Sequence, residues 1–292
     1  APFAGNNFFE ENTKIGNLID SGIVYEADNQ SIFNANDNTP NPDSCRELKK
    51  RFGNFDLSLM NYNAAGPYPS CFNNLSEEEK IEEHFNNLQR NVDYLHENLK
   101  VLNSKYFLPF AGAYVLGGKL SYKNKFLGTM SWDKCIELLN KKDNIQGTEY
   151  IALNEGTSFD LNTGLPDTEY QPINENEVKL YIDTKLSNLK YPYEQDDMPE
   201  QSQLLNDIND AILAMETRLE RIKIVPDMMV SLEVFDEEVI IMNPTETESN
   251  GTLKCRMDLR LLRRILDKSS HWNNAEVGCH IEFDRKPNFY SP

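Results

Sequence analysis

Residues suited to metal or nucleophile chemistry are scarce in this chain. There are only four histidines, His84, His96, His271 and His280, and they are far apart. The five cysteines (Cys45, Cys71, Cys135, Cys255, Cys279) are odd in number and include no C-x-x-C pair. That spacing excludes a zinc ribbon and argues against a disulfide framework, so a reducing, cytoplasmic setting is expected. No Gly-x-Ser-x-Gly elbow or Walker sequence occurs and no Cys-His pair reads as a plausible nucleophile and base, which leaves nucleophilic catalysis without support. Nor is there an apolar run near the roughly 18 residues of a spanning helix, so no membrane partner is expected. Basic residues are outnumbered 29 to 47, giving a net charge of −18, and they form no stripe interleaved with aromatics. Such a surface repels a phosphate backbone, so nucleic acid is not an expected partner.

What is present is a polar chain of 292 residues, 39% hydrophobic, long enough for two cores. Residues 22–27 and 31–35 are β-prone runs flanking Asp28-Asn29-Gln30 and read as a hairpin that ends at Asn36-Asp37-Asn38. A short helix is expected over 43–51 and strands over 55–60 and 105–110. Between those strands, Ser76-Glu77-Glu78-Glu79 has the form of a capping box. It opens a helix whose Ile81, Phe85, Leu88, Val92, Leu95 and Leu99 recur at intervals of four and three. Strands alternating with helices favour an α/β layer.

Beyond Asn140 the sequence becomes polar and Gly/Pro-punctuated. A helix near 175–189, a linker over 191–197 and a second strong helix carrying Leu205, Ile208, Ile212, Met215, Leu219 and Ile222 follow. A hairpin over 228–235 and 239–242 comes next, then a helix capped by Asp258. The alternation Ala275, Val277, Cys279, Ile281, Phe283 reads as a strand with one buried face. These elements make the later region α+β. Neither end of the chain carries a capping element, and the chain is expected to be a fragment of a longer protein.

The candidate residues admit two readings each. Asp37 follows a strand, at the kind of rim where α/β folds place ligands, and its flanking asparagines could orient it as a metal ligand or general base. Asn-Asp-Asn is equally ordinary turn chemistry. His84 and His96 lie at the edges of an apolar helix stripe, too far apart to share one ion, and read as boundary residues. His280 falls on the polar face of the expected last strand and reads as solvated. In the loop 270–276, His271, Asn273 and Glu276 crowd together with Trp272, either as a second-domain site or as a structural corner. Lys119, Lys123 and Lys125, with Asn124, follow Gly117-Gly118, where amides and ammonium groups could hold an anion or simply face solvent. Arg256, Arg260, Arg263 and Arg264 read as the solvated side of an amphipathic helix.

Several segments gain specificity when taken in order: Ile19-Asp20-Ser21-Gly22, Asn36-Asp37-Asn38, Phe55-Asp56-Leu57, Tyr68-Pro69-Ser70-Cys71-Phe72, Glu78-Glu79-Lys80 and Pro109-Phe110-Ala111-Gly112-Ala113-Tyr114. Together they resemble the later half of metallo-β-lactamase-fold proteins, in the branch around CMP-N-acetylneuraminate hydroxylase and related amino-sugar hydroxylases. The resemblance covers about residues 15–133.

It implies an α/β fold, a partial αββα sandwich over residues 1–140. Linking and peripheral segments would follow over 141–198, and a smaller α+β accessory domain, incomplete at its C-terminus, over 199–292. It also implies a metal-dependent hydrolase or monooxygenase-like oxidoreductase acting on a small anionic substrate such as an amino sugar or nucleotide sugar. Iron or zinc would be held by Asp37 and by a His-x-His-x-Asp-His cluster that this chain lacks. Tyr68, Lys119, Asn124 and Lys125 would line the substrate side. The chain also lacks the late histidine common in hydrolase branches and the Cys/His pairs of a Rieske domain. An oxygenase would therefore need an electron-transfer partner. The alternative is a non-catalytic binding or accessory protein with a decayed metal site.

Overall fold

The computed structural model describes residues 2–3, 21–244 and 250–288. The start of the resemblance, from Ile15 through Asp20, and the last four residues of the chain lie outside them. The protein is mixed α/β, and its contacts divide it into two compact units interleaved along the sequence.

The first unit comprises Ala1–Ala65, Phe85–Tyr114 and Gly128–Val178. Its strands are β1 (Pro2–Phe3), β2 (Gly22–Ala27), β3 (Gln30–Asn34), β4 (Leu57–Met60), β5 (Tyr106–Pro109) and β6 (Glu149–Tyr150), in that order across one sheet. β1, β2 and β3 pair antiparallel, whereas β3 to β6 run parallel. Asp28 and Asn29 both take positive φ, 51° and 61°, in the two-residue hairpin turn, a conformation their short polar side chains tolerate.

Period-two alternation sends Phe33, Met60 and Phe107 to one face of this sheet. There they meet α1 (Pro42–Phe52), α2 (Glu77–Leu102, of which residues 85–102 belong to this unit) and α3 (Trp132–Leu139). Cys45 and Leu48 of α1, Leu88, Val92, Leu95, Leu99 and Leu102 of α2, and Cys135 and Leu139 of α3 complete that core. Ile32, Leu57, Leu59, Tyr106 and Leu108 face the other way. They pack with Ile151, Phe159 and Leu161, next to the small hairpin of β7 (Phe159–Asp160) and β8 (Leu165–Pro166). α1 starts where Asn41 accepts from the Ser44 amide at 2.7 Å. α3 starts in the same way at Ser131, an element the sequence pattern did not announce. α4 (Glu175–Thr184) begins as this unit ends.

The second unit comprises Gly66–His84, Val115–Leu127 and Lys179–Pro292. It holds a 3-10 helix over Gly118–Phe126, which carries Lys119, Lys123 and Lys125, and then α5 (Gln201–Ile222). β9 (Met229–Val234), β10 (Glu237–Met242), β11 (Thr252–Arg256), α6 (Leu259–Leu266), α7 (Trp272–Val277) and β12 (Glu282–Lys286) follow. The four strands form a sheet in the order β10-β9-β11-β12, with β9 and β11 parallel.

Two expectations are corrected here. Residues 275–283 are not one strand: α7 ends at Val277, Cys279 turns the chain with φ of 60°, and β12 begins at Glu282. Apolar residues two apart also suit a single helical turn followed by a bend, and burial of Ala275, Cys279, Ile281 and Phe283 satisfies both patterns. Arg256 is not on the helix with Arg260, Arg263 and Arg264; it ends β11 and bonds Glu233 at 2.9 Å and Asp284 at 2.6 Å. Among the described residues no helix is long and apolar enough to cross a membrane.

Candidate functional site

Parallel strands of the first sheet deliver their carboxyl ends to one rim. β3 leads into Asn36-Asp37-Asn38, where Asn36 has φ of 54° and its amide donates to Asn34 Oδ1 at 2.8 Å. Asp37 is exposed, and among the described residues its carboxylate has no hydrogen-bond or ion-pair partner. Thr39 Oγ1 donates to Asn61 Oδ1 at 2.8 Å, tying this turn to the segment that leaves β4. Asp37 is thus both a turn residue and a free carboxylate on the rim.

Beyond the ends of β4 and β5 lies a cavity of about 330 Å³, walled by Tyr62, Trp132 and the Phe110–Ala113 backbone among others. Ala111 and Gly112 take φ of 58° and 93°. Among the described residues the amides of Ala111, Gly112 and Ala113 donate to no partner. Gly112 is required twice over: its backbone is left-handed, and a Cβ there would stand 3.0 Å from Asn63 Cβ.

Asn63 is itself fixed, donating to Met130 O at 2.8 Å and accepting from Met130 N at 2.9 Å. Trp132 is anchored by its indole N–H on Tyr170, whose hydroxyl donates to Asp133 at 2.7 Å. Burial, then the nearby Cys135 and Asp133, hold Tyr62 above the usual phenol range, so it remains a neutral hydroxyl in the cavity wall. A rigid cavity with two aromatic walls and three free amides can take a ring that carries an anionic group.

Within the second unit, Lys119 and Lys123 wall a cavity of about 290 Å³ together with Tyr193, Arg256, Asp258, His280 and Glu282. Lys119 Nζ is 3.1 Å from Asp258, 3.3 Å from Glu194 and 4.9 Å from the Tyr193 ring centroid. Burial opposes its charge, but the bonds to Tyr193 and Asp258 outweigh this and raise it. Hydrogen bonds from Arg260, and then from Lys119, hold the Asp258 carboxyl down to about 2.

His280 is not a solvated strand residue. Its ring meets Tyr191 edge-on at 4.4 Å, and Nδ1 lies 3.1 Å from Tyr193 Oη. Burial, and then Lys119 and Lys123, push His280 down to about 4. It also borders a second cavity, lined by His271, Asn274 and Arg264. His271 stands at the N-cap position of α7 without a side-chain capping bond, while Asn273 is exposed and Glu276 half-buried on that helix.

The remaining expected residues are engaged locally. Asn124 bonds Leu116 N and O at 2.7 and 2.9 Å and Ser121 O at 2.8 Å, which closes its own loop. Lys125 pairs with Glu77 and covers Phe126. Tyr68 sits edge-on to Phe72 at 5.0 Å with the Arg285 guanidinium over its ring, and burial, then a bond with Glu83, raises its hydroxyl.

Among the described residues no three His, Cys, Asp or Glu side chains converge to hold a metal. Sequence reasoning passed over Tyr62 and Trp132, whose roles depend on tertiary neighbours. A signal was nevertheless present in the two small residues beside Gly112 at the end of a strand. No family model matches the chain, and no curated protein matches it.

Proposed function

We propose that this chain is part of a metal-dependent enzyme of the metallo-β-lactamase fold acting on a small anionic molecule, with an amino sugar or nucleotide sugar as the substrate class. The observation that carries the reading is the rim. A free carboxylate, Asp37, and a cavity with three unpartnered amides both follow the carboxyl ends of neighbouring parallel strands.

The sheet with helices against one face would be half of the αββα sandwich. The amides of Ala111, Gly112 and Ala113 would receive the anionic group, and Tyr62 and Trp132 would flank the ring. A bound iron or zinc ion would supply Lewis acidity or dioxygen activation. One carboxylate does not hold such an ion, so its other ligands would come from outside the described residues. An oxygenase would also need an external electron donor. A reducing cytoplasm suits the five free, buried cysteines.

The test uses the longer protein containing this chain. Metal analysis should find stoichiometric iron or zinc, and Asp37→Ala should lower it without moving the urea midpoint. Calorimetry should find that N-acetylneuraminate binds more tightly than neutral N-acetylmannosamine. Unchanged metal content in the variant would remove Asp37 from the site. Metal-free protein that still binds the acidic sugar would favour the non-catalytic binding protein, and equal affinity for both sugars would end the anion-site reading.

A further inference from the structure

Cys71 and Cys279 are separated by 208 residues in sequence, yet they meet in the interior of the second unit. The backbone brings them together. Phe283 N donates to Cys71 O at 2.8 Å and Asn73 N to Phe283 O at 2.7 Å, so residues 71–73 run beside the start of β12. Both thiols are fully buried. Ser70 Oγ lies 3.8 Å from the Cys71 sulfur and 3.5 Å from the Cys279 sulfur, and the Cys71 thiol donates to Cys279 O at 3.6 Å.

Between them and the second-unit cavity stands Lys123, whose side chain is 2% exposed. Its Nζ is 3.4 Å from Cys71 Sγ, 3.1 Å from Cys279 O and 3.3 Å from Glu282 Oε1. A buried ammonium is costly unless compensated. Its carboxylate partner is 37% exposed, and the Cys71 sulfur is a buried neighbour able to carry negative charge.

From this arrangement we infer that Cys71 and Cys279 form an oxidisable dithiol: Cys71 is the thiolate that attacks a hydroperoxide, Cys279 is the resolving thiol, and Lys123 positions and protonates. The electrostatics agree. The neighbouring Cys279 thiol, and then Lys123, overcome burial and depress Cys71, while the proximity of Cys71 raises Cys279. Cys45, Cys135 and Cys255, buried without such a partner, are pushed up to about 12 and stay inert thiols.

In the first step the Cys71 sulfur attacks one peroxide oxygen and the O–O bond breaks. The departing hydroxide takes a proton from Lys123, leaving a sulfenic acid at Cys71 and one water. In the second, the Cys279 sulfur attacks Cys71, its proton goes with the departing hydroxyl, and a second water leaves. Two thiol sulfurs lose two electrons, which the peroxide accepts, and Lys123 regains its proton from solvent. The cavity lined by Lys123, Glu282 and His280 offers a small uncharged oxidant its approach.

The test treats the whole chain with hydrogen peroxide, alkylates it in denaturant and maps the peptides by mass spectrometry. The expected result is loss of two of the five alkylable thiols, a Cys71–Cys279 peptide pair lighter by two hydrogens, and full reversal by dithiothreitol. In Cys279→Ser, dimedone should label Cys71.

Lys123→Gln should slow peroxide consumption roughly tenfold at pH 7 and shift its pH profile upward, with Lys123→Arg restoring most of the rate. Oxidation spread evenly over five cysteines would overturn the assignment. So would dimedone label on a cysteine other than Cys71, or a Lys123–Cys71 N–O–S bridge that leaves Cys279 alkylable. Both readouts on the unsubstituted protein hold even where a variant fails to fold.

Discussion

Mild acid should weaken the second unit through His280. The unfolded histidine titrates near 6.5, whereas in the fold burial and the neighbouring Lys119 and Lys123 bring His280 down to about 4. The unfolded chain therefore binds the proton first. The stability that neutral His280 contributes is complete above pH 6.5 and is lost as pH falls toward 4. Between pH 7 and 5 the linkage amounts to roughly 2 kcal/mol, which solvent screening of the half-buried ring reduces to roughly 1 kcal/mol.

Other groups around the ring do not titrate in that window. Tyr191 and Tyr193 are raised, Glu194 and Asp258 are depressed, and Lys119 and Lys123 are held above their usual value. His96 is also lowered, chiefly by burial and then Lys100, but it is common to both proteins compared. Urea unfolding of the native protein and of His280→Phe at pH 7 and pH 5 isolates the effect, since phenylalanine keeps a ring against Tyr191 and loses the titration. The variant should lose about 1 kcal/mol less than the native protein on acidification. Equal losses, or an NMR titration of His280 near 6.5, would refute the reasoning.

Gly112→Ala should destabilise the first unit by about 1–3 kcal/mol, because its backbone has φ of 93° and the new Cβ meets Asn63. A urea midpoint unchanged from the native protein would show that this turn is not constrained. Leu99→Ala, at a fully buried position of α2, should cost about 2–5 kcal/mol. Denaturant unfolding that moves by less than 1 kcal/mol would show that this face of α2 is not packed as described.

Elements written in local chemistry were legible in the sequence. The capping box is formed, with Ser76 N donating to Glu79 Oε2 at 2.7 Å and Glu79 N to Ser76 Oγ at 3.2 Å. Asp258 caps α6 by accepting from Arg260 N at 3.1 Å. The turn at Asp28-Asn29 and the hairpin of β9 and β10 stand where their residues pointed. Where local pattern and tertiary demand diverged, legibility ended. The alternation over 275–283 spans a helix, a left-handed bend and a strand. Arg256 was grouped with arginines four to eight residues on because helical spacing allowed it, while its partners Glu233 and Asp284 lie on the neighbouring strands β9 and β12.

The same distinction explains why the cysteines carried no message. A reactive thiol is identified by what surrounds it, and the groups around Cys71 are 1, 52 and 208 residues away. Composition records five unpaired cysteines and stops there. Only the pairing of residues 71–73 with the start of β12 places Cys279 beside Cys71, and only the 3-10 helix over Gly118–Phe126 turns Lys123 inward while Lys125 stays exposed. Lysines two apart on such a helix are about 240° apart in rotation. One of them can thus enter the core as its neighbour pairs with Glu77 at the surface. A loop would have let both lysines reach solvent, as the expected anion-binding role required. The helix instead commits Lys123 to the thiols, and it is this commitment that separates Cys71 chemically from Cys45, Cys135 and Cys255, whose burial dominates and raises them.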